Sequence, residues 1–223
     1  MPRFPARAVA ASAAVAISLA ACRSAPPAST AATSPVPAAA PIDGARYPYT
    51  AADVHFMSAM IGHHSQAIVM SRMAASHGAS AEVRTLADRI VNAQEDDIRI
   101  MQRWLRDRAQ PVPEPDTSGA AAPMPMEHMA GHAHGPMPGM LTAEQMRQLD
   151  AARGPEFDRL FLRFMIQHHR GAVEMVRQLF ASQGAAEDDT VFKFASDVNV
   201  DQSTEIARMQ RMLAAAIFER PAP

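Results

Sequence analysis

The fold is decided by Phe56-Met57-Ser58-Ala59-Met60-Ile61-Gly62-His63-His64-Ser65-Gln66-Ala67-Ile68-Val69-Met70, because the chain contains this stretch twice. The second copy is Phe161-Leu162-Arg163-Phe164-Met165-Ile166-Gln167-His168-His169-Arg170-Gly171-Ala172-Val173-Glu174-Met175. An offset of 105 residues aligns both His-His pairs and the methionines before and after them. Self-similarity of this kind indicates an internal duplication.

Each copy predicts an amphipathic helix with apolar residues on one face, at about 100° per residue. His64 and His169 lie near the middle of this face, so we expect them to point into the core. His63 and His168 lie at its edge, beside Met70 and Met175. The opposite face is predicted to hold the polar side chains, for example Ser65. Because adjacent residues diverge by about 100°, both members of a pair do not easily bind one ion.

A second helix follows each copy, and these helices also repeat. The first is predicted from Ser80 to about Arg108, before two prolines. An offset of 108 residues pairs Asp97 with Glu205, and both are predicted to lie inside an apolar stripe. A carboxylate in such a place is costly unless it is paired or coordinates a cation. Two interpretations remain open: a metal site, or two buried His–carboxylate pairs without metal.

The folded region is predicted to be all-α, a four-helix bundle of two duplicated hairpins. The bundle should occupy residues 50–223, with hairpins at 50–110 and 155–220 and a short helix near 142–152 between them. Low aromatic content and abundant Ala, Met and Leu favour helix over sheet. Four methionines are interpreted as core filler, and two lone histidines as solvent-facing. These are Met57, Met73, Met146 and Met212, and His55 and His77.

The first 21 residues are predicted to be a secretory signal: two arginines precede an apolar run too short to span a bilayer stably. The run ends Leu19-Ala20-Ala21-Cys22, which resembles a bacterial lipobox whose Cys is lipidated. Cys22 is the only cysteine, so no disulfide is expected. Residues 22–49, rich in Ala and Pro, should tether the domain to a membrane. Arg23 points to the outer membrane in a Gram-negative organism; a plain signal peptide with an incidental Cys is the alternative.

Residues 123–140 combine Pro and Gly with methionines and histidines. Pro and Gly exclude regular structure, and an exposed loop has no packing use for methionine. Thioether and imidazole together suit Cu(I), and imidazole also suits Cu(II), so the loop is predicted to collect copper weakly; a linker that binds nothing is the alternative. The predicted ligands are Met124, Met126, His128, Met129, His132, His134, Met137 and Met140.

Several function classes are excluded or disfavoured. A net charge of -2 without a basic block argues against a nucleic-acid partner. The sequence contains no Glu-x-x-His of di-iron oxidases, no nucleophile elbow and no nucleotide-binding glycine motif, so no enzyme is predicted.

The repeated motif, Asp-x-x-Phe before Met-Ile-x-His-His and then Gln-x-x-[Asp/Glu]-Ile-x-x-Met, resembles the CopM-type family, domain of unknown function three hundred and five. The resemblance covers Asp53 to Leu105 and Asp158 to Leu213. It implies a ferritin-like bundle, exported and linked to copper binding and tolerance. Asp97 departs from it, because Glu is expected there. The metal ligands that the resemblance implies are His63, His64, His168, His169, Met60, Met165, Met70, Met175, Asp97, Glu205, Met101 and Met209.

Together these observations predict an exported protein that binds copper as Cu(I) or Cu(II) and sequesters it or passes it to a transfer protein. Ag(I) or Zn(II) would serve as surrogate ions. A homo-oligomer is an open option. The alternatives are a metal-dependent oxidase on the same bundle, or a structural envelope lipoprotein with His–carboxylate pairs.

Overall fold

A computed structural model describes residues 48–117 and 137–218. Its helices are α1 (Ala51–Arg72), α2 (Ala81–Asp107), α3 (Ala143–Ala151), α4 (Gly154–Ala181) and α5 (Asp189–Phe218). The predicted signal, lipidation site, most of the tether and most of the Met/His loop lie outside the described residues. Within them, no helix is both long and apolar enough to cross a membrane.

The architecture is the predicted all-α bundle of two hairpins. The α1 helix packs on α2, α4 packs on α5, and the hairpins meet where α1 contacts α4. The short helix α3 lies against α4 and begins at Thr142 with a capping box closed by Gln145. The α4 helix begins at Gly154 with Pro155 in its first turn, which fits the proline's fixed φ and missing N–H.

One prediction about α1 is wrong. The helix was expected to keep a polar face towards solvent, yet Ser65 and Ser71 are buried. The physical reason is that α1 touches both α2 and α4, so two of its faces are covered. Ser65 is accommodated because its hydroxyl donates to the Ile61 carbonyl oxygen at 2.8 Å, which satisfies it within the helix.

Equivalent aspartates tie the two repeats together. Asp53 caps α1 with Thr50, and its Oδ1 also accepts a hydrogen bond from the Ala186 backbone N–H, at 2.7 Å, in the turn of the other hairpin. Asp158 accepts from the Ser80 N–H at 3.2 Å, in the turn of the first hairpin. Each repeat therefore fixes the hairpin turn of its partner. Because these reciprocal bonds are related by the duplication, they define an approximate two-fold relation between the hairpins.

Residues 137–141 form a strap, the last part of the predicted copper-collecting loop and the residue after it. The strap runs between α1 and α4 just before α3. The Gln66 side chain donates to the Leu141 carbonyl oxygen at 3.1 Å and accepts from the Leu141 N–H at 2.7 Å. Gly139 has φ of 75°, a left-handed conformation that favours glycine.

Candidate metal centre

The four repeated histidines meet in the middle of the bundle. The His63 and His168 ring centroids are 3.9 Å apart, and the His168 and His169 centroids 6.2 Å apart. All four are buried, with at most 1% of their surface exposed. His63 and His168 were expected only at the edge of the apolar face. They are buried because that edge is where α1 and α4 contact each other.

The second histidine of each His-His pair, His64 or His169, is here called the outer histidine. It is paired with a carboxylate of its own hairpin. His64 Nε2 lies 3.1 Å from Asp97 Oδ2, and His169 Nε2 lies 2.6 Å from Glu205 Oε2. Since a carboxylate oxygen accepts, each Nε2 donates in this arrangement. The carboxylate side chains are 28% and 20% exposed, so they lie between the rings and solvent. The predicted His–carboxylate pairing is present in both halves, but the prediction that the carboxylates lie in the core is wrong, because they occupy the edge of the bundle where solvent reaches them.

The first histidine of each pair, His63 or His168, is the inner histidine. The inner histidines donate to backbone carbonyls instead of carboxylates. His63 Nε2 donates to the Pro138 carbonyl oxygen in the strap, and His168 Nε2 donates to the His63 carbonyl oxygen, each at 3.0 Å. A carbonyl oxygen only accepts, so both rings carry their proton on Nε2 when neutral. Burial, and then neighbouring histidines, lower the pKa of His63 to about 3. The same two causes hold the pKa of His168 well below its usual range.

These bonds leave the Nδ1 atoms of all four rings without a partner. Each Nδ1 is buried and has no hydrogen bond, although buried polar atoms are ordinarily satisfied. In a neutral ring with its proton on Nε2, Nδ1 is a bare lone pair, the form in which imidazole binds a metal. Carboxylates and carbonyls that fix the other ring nitrogen are the usual outer partners of metal-binding histidines. The orphaned nitrogens therefore fit the binding of a cation.

Methionines of both repeats are buried, like the histidines. Met60, Met101 and Met175 belong to one buried apolar cluster, and their repeat equivalents to the other. Those equivalents are Met165, Met209 and Met70. Each trio combines methionines from three helices and both repeats, so neither hairpin supplies a complete trio alone. The duplication places the two trios in equivalent positions.

The described residues contain no group of three or more His, Cys, Asp and Glu side chains arranged to hold a metal ion. Asp97 and Glu205, predicted as ligands, each accept a histidine hydrogen bond on one carboxylate oxygen, Oδ2 and Oε2 respectively. The buried donors of a site in this region would be imidazole Nδ1 and thioether sulfur. Such a mixed set suits a soft cation. Among the loop residues predicted to collect copper, Met137 and Met140 are described; the others lie outside the described residues.

One prediction about an isolated histidine is wrong. His77 was expected to face solvent, but it is 6% exposed. Its Nε2 lies 2.9 Å from the Asp150 carbonyl oxygen and 3.1 Å from Asp150 Oδ1, and its Nδ1 lies 2.9 Å from Ser76 Oγ. The ring also packs against Phe157. These contacts pin the end of α1 to the end of α3. The sequence carries no signal for them, because Asp150 is far along the chain.

The comparisons with known proteins agree with this architecture. A DUF305 fragment from Deinococcus radiodurans is 29% identical to this chain. The similarity covers 75% of this chain and 98% of that one, with a TM-score of 0.60. CopM in its Cu(II)-bound form is 29% identical, with 73% and 95% covered and a TM-score of 0.56. CopM in its Cu(I)-bound form is 28% identical, with 78% and 100% covered and a TM-score of 0.53. No curated protein matches the sequence. A family model described as a domain of unknown function, DUF305, matches residues 53–213, and the chain therefore belongs to the DUF305 family.

Proposed function

We propose that this protein is an exported copper-binding protein that sequesters or transfers copper in the cell envelope and so contributes to copper tolerance. The observation that carries the proposal is the set of four buried Nδ1 atoms without partners, in a bundle whose repeated methionines are also buried. A metal-free role as two His–carboxylate pairs accounts for the Nε2 atoms alone. It leaves the unsatisfied Nδ1 atoms and the repeated methionines without a purpose.

The chemistry of the donors favours Cu(I). Thioethers are soft ligands, and imidazole binds both oxidation states of copper. The low pKa of His63 and of His168 keeps these rings neutral, so they can bind a cation without first releasing a proton. Solved structures of CopM carry Cu(I), Cu(II) and silver, which supports the same class of ions for this relative.

The proposed location follows from the first residues of the sequence. A signal at 1–21 and lipidation of Cys22 would hold the bundle at the periplasmic side of the envelope. The 22–49 tether would let it collect copper near the membrane and pass it to a transfer protein. Membrane fractionation tests the anchor. The Cys22→Ala variant should no longer be found in the membrane fraction, and an unchanged share of protein in that fraction would contradict lipidation.

Metal titration of the full chain tests the proposed function. Cu(I) under reducing conditions, Cu(II) under oxidising conditions and Zn(II) should be titrated against competing chelators. We expect Cu(I) to bind most tightly and to stabilise the fold, by about 2.7 kcal/mol at about a hundredfold excess over Kd. If the protein melts at the same temperature with each ion and with chelator, the histidines are structural partners of the carboxylates and the copper proposal is wrong.

A further inference from the structure

The strap breaks the symmetry of the histidine layer. His168 donates to the backbone of the other repeat, at the His63 carbonyl oxygen. His63, its equivalent, donates to Pro138 in the strap. One of the two inner rings is therefore fixed by the bundle and the other by residues 137–141. The orientation of His63 consequently depends on whether the strap is in place.

The glutamines that hold the strap are not shared by the two repeats. Gln66 makes two hydrogen bonds to Leu141, whereas its repeat equivalent is Gly171. Gln167 donates to the Gly139 and Met140 carbonyl oxygens at 3.4 and 3.5 Å, whereas its equivalent is Gly62. The identical His-His pairs are thus flanked by Gly and Gln in opposite order. Because of this exchange, α1 and α4 each supply one glutamine that hydrogen-bonds to the strap.

Gly171 provides the space in which the strap lies. A Cβ atom built on Gly171 would overlap the Pro138 carbonyl oxygen and approach the Gly139 Cα. The backbones of Gly139 and Gly171 lie so close together that any side chain at position 171 would displace the Pro138 carbonyl group, to which His63 donates. Gly171 lies inside α4, where glycine is intrinsically unfavourable. Its presence is explained by the strap and not by helix formation.

The strap is also the layer between His63 and solvent on this side of the bundle. His63 is fully buried, but residues 137–140 are each partly exposed. A surface groove of about 660 Å³, lined in part by Pro138, Gly139 and Gly171, borders the strap. The strap is held by hydrogen bonds to side chains of α1 and α4, by Leu141, which is buried in one apolar cluster, and by Met137, which packs against the other. None of these contacts belongs to the backbone hydrogen bonds of α1 or α4, so the strap can detach without unfolding either helix.

From these contacts we propose that residues 137–141 are a latch that controls access of the soft cation to the buried histidines, with Gln66 and Gly171 as its positioning residues. The proposal rests on the proposed copper function and adds the route of exchange. With the latch seated, the Pro138 carbonyl fixes the proton of His63 on Nε2 and leaves Nδ1 free. With the latch detached, His63 is exposed and its ring is no longer fixed. The predicted Met/His loop leads directly into this latch.

The test compares Gly171→Ala and Gln66→Ala with the wild-type full chain. Cu(I) is loaded, and its release into excess chromogenic chelator is followed. We expect Gly171→Ala to release Cu(I) about tenfold faster and Gln66→Ala about threefold faster, because contacts of the seated latch are lost. The number of ions bound should stay the same. Gln178→Ala is the matched control for Gln66→Ala, because that exposed amide on α4 donates to Glu174, and it should release at the wild-type rate.

A second readout needs no copper. In the metal-free protein the Leu141 amide should exchange with solvent faster in both variants, and the ring ¹⁵N signals of His63 should change while those of His168 stay the same. Faster Leu141 exchange with wild-type Cu(I) release would overturn the latch and leave the copper proposal standing. Release unchanged by Gly171→Ala but accelerated by Asp97→Asn would place the route at the carboxylates and also overturn it. A wild-type protein that binds no copper would instead refute the proposed function.

Discussion

The hairpin of α1 and α2 and the hairpin of α4 and α5 carry the same His-His pair, yet their immediate surroundings differ. Gly62 and Gln66 in α1 correspond to Gln167 and Gly171 in α4. Both copies retain the buried histidines, the buried methionines and one partly exposed carboxylate per hairpin. Among the differences between the copies, Gly62/Gln167 and Gln66/Gly171 involve side chains that touch the strap. The comparison distinguishes two groups of residues. One group belongs to the candidate metal centre in both halves, and the other differs because each half contacts the strap in its own way.

The largest expected effect comes from removing the outer histidine in both halves. His64→Ala with His169→Ala should abolish the tightest copper binding, measured by competition titration. The metal-free variant should also lose about 1–3 kcal/mol of unfolding free energy, because Asp97 and Glu205 lose their hydrogen-bond partners. The carboxylates are partly exposed, so this loss should be smaller than that for a fully buried pair.

The stability loss alone does not distinguish a metal site from a structural pair, because both interpretations predict it. The decisive quantity is the stabilisation by added Cu(I), measured as a shift in melting temperature. It should be present in the wild type and absent in the double variant. An equal shift in both proteins would mean that copper binds elsewhere in the chain.

The next effect concerns pH and the inner pair. His63 has a folded pKa of about 3, against about 6.5 when unfolded, so between these values the unfolded chain binds a proton that the folded protein does not. Unfolding is then favoured as pH falls, and stability is lost below about pH 6.5. The slope should be about 1.4 kcal/mol per pH unit for each such histidine. Urea unfolding with chelator present, between pH 5 and 7.5, measures it.

His63→Gln supplies the comparison for that slope. The variant should lose one histidine's share of the pH dependence, whereas the share of His168 remains, because its pKa is also well below the usual range. A variant with the wild-type slope would show that His63 is protonated in the folded protein. In that case its buried position would not keep it neutral.

The main features of the fold were predictable from the sequence, because they are repeated and local. The offsets of 105 and 108 residues identify both hairpins, and the Thr50, Ser80 and Thr142 caps mark helix starts that the structure has. Burial of Ser65 was not predictable. Helix periodicity reports how many faces of a helix are apolar, whereas a second packing neighbour is a tertiary feature.

The centre was predictable only in part. Periodicity placed His64 and His169 inward, and the duplication matched them with Asp97 and Glu205. The role of the strap was missed because its hydrogen bonds join residues 75 positions apart and use backbone carbonyls, which any residue supplies. The exchange of Gly and Gln at positions 66 and 171 was the available signal. It becomes meaningful once the two copies are compared for their differences as well as their identities.

A smaller effect is expected from the methionine trios. We expect one Cu(I) site at each trio, so Met60→Leu and Met165→Leu should each weaken one site by about tenfold, and to the same extent, because the repeat makes them equivalent. Leucine for methionine changes unfolding free energy by less than about 1.5 kcal/mol, so a change in affinity would report the sulfur. The matched control is Met57→Leu: its repeat equivalent is Leu162, so the fold already accepts leucine there. Equal losses in all three variants would make these methionines core filler.

The smallest expected effect comes from the one carboxylate that differs between the hairpins. Glu205 approaches His169 to 2.6 Å, whereas Asp97 lies 3.1 Å from His64. A shorter, charge-assisted bond makes the ring a stronger donor to a metal, so the half with Glu205 should bind Cu(I) more tightly. Asp97→Glu should then tighten the weaker site by about threefold and bring the two affinities together, whereas Glu205→Asp should bring them together by weakening the stronger site. The control Asp96→Glu alters an exposed acid that pairs with Arg99 and should leave both affinities unchanged. If Asp97→Glu widens the difference instead, carboxylate reach does not set the affinity of either half.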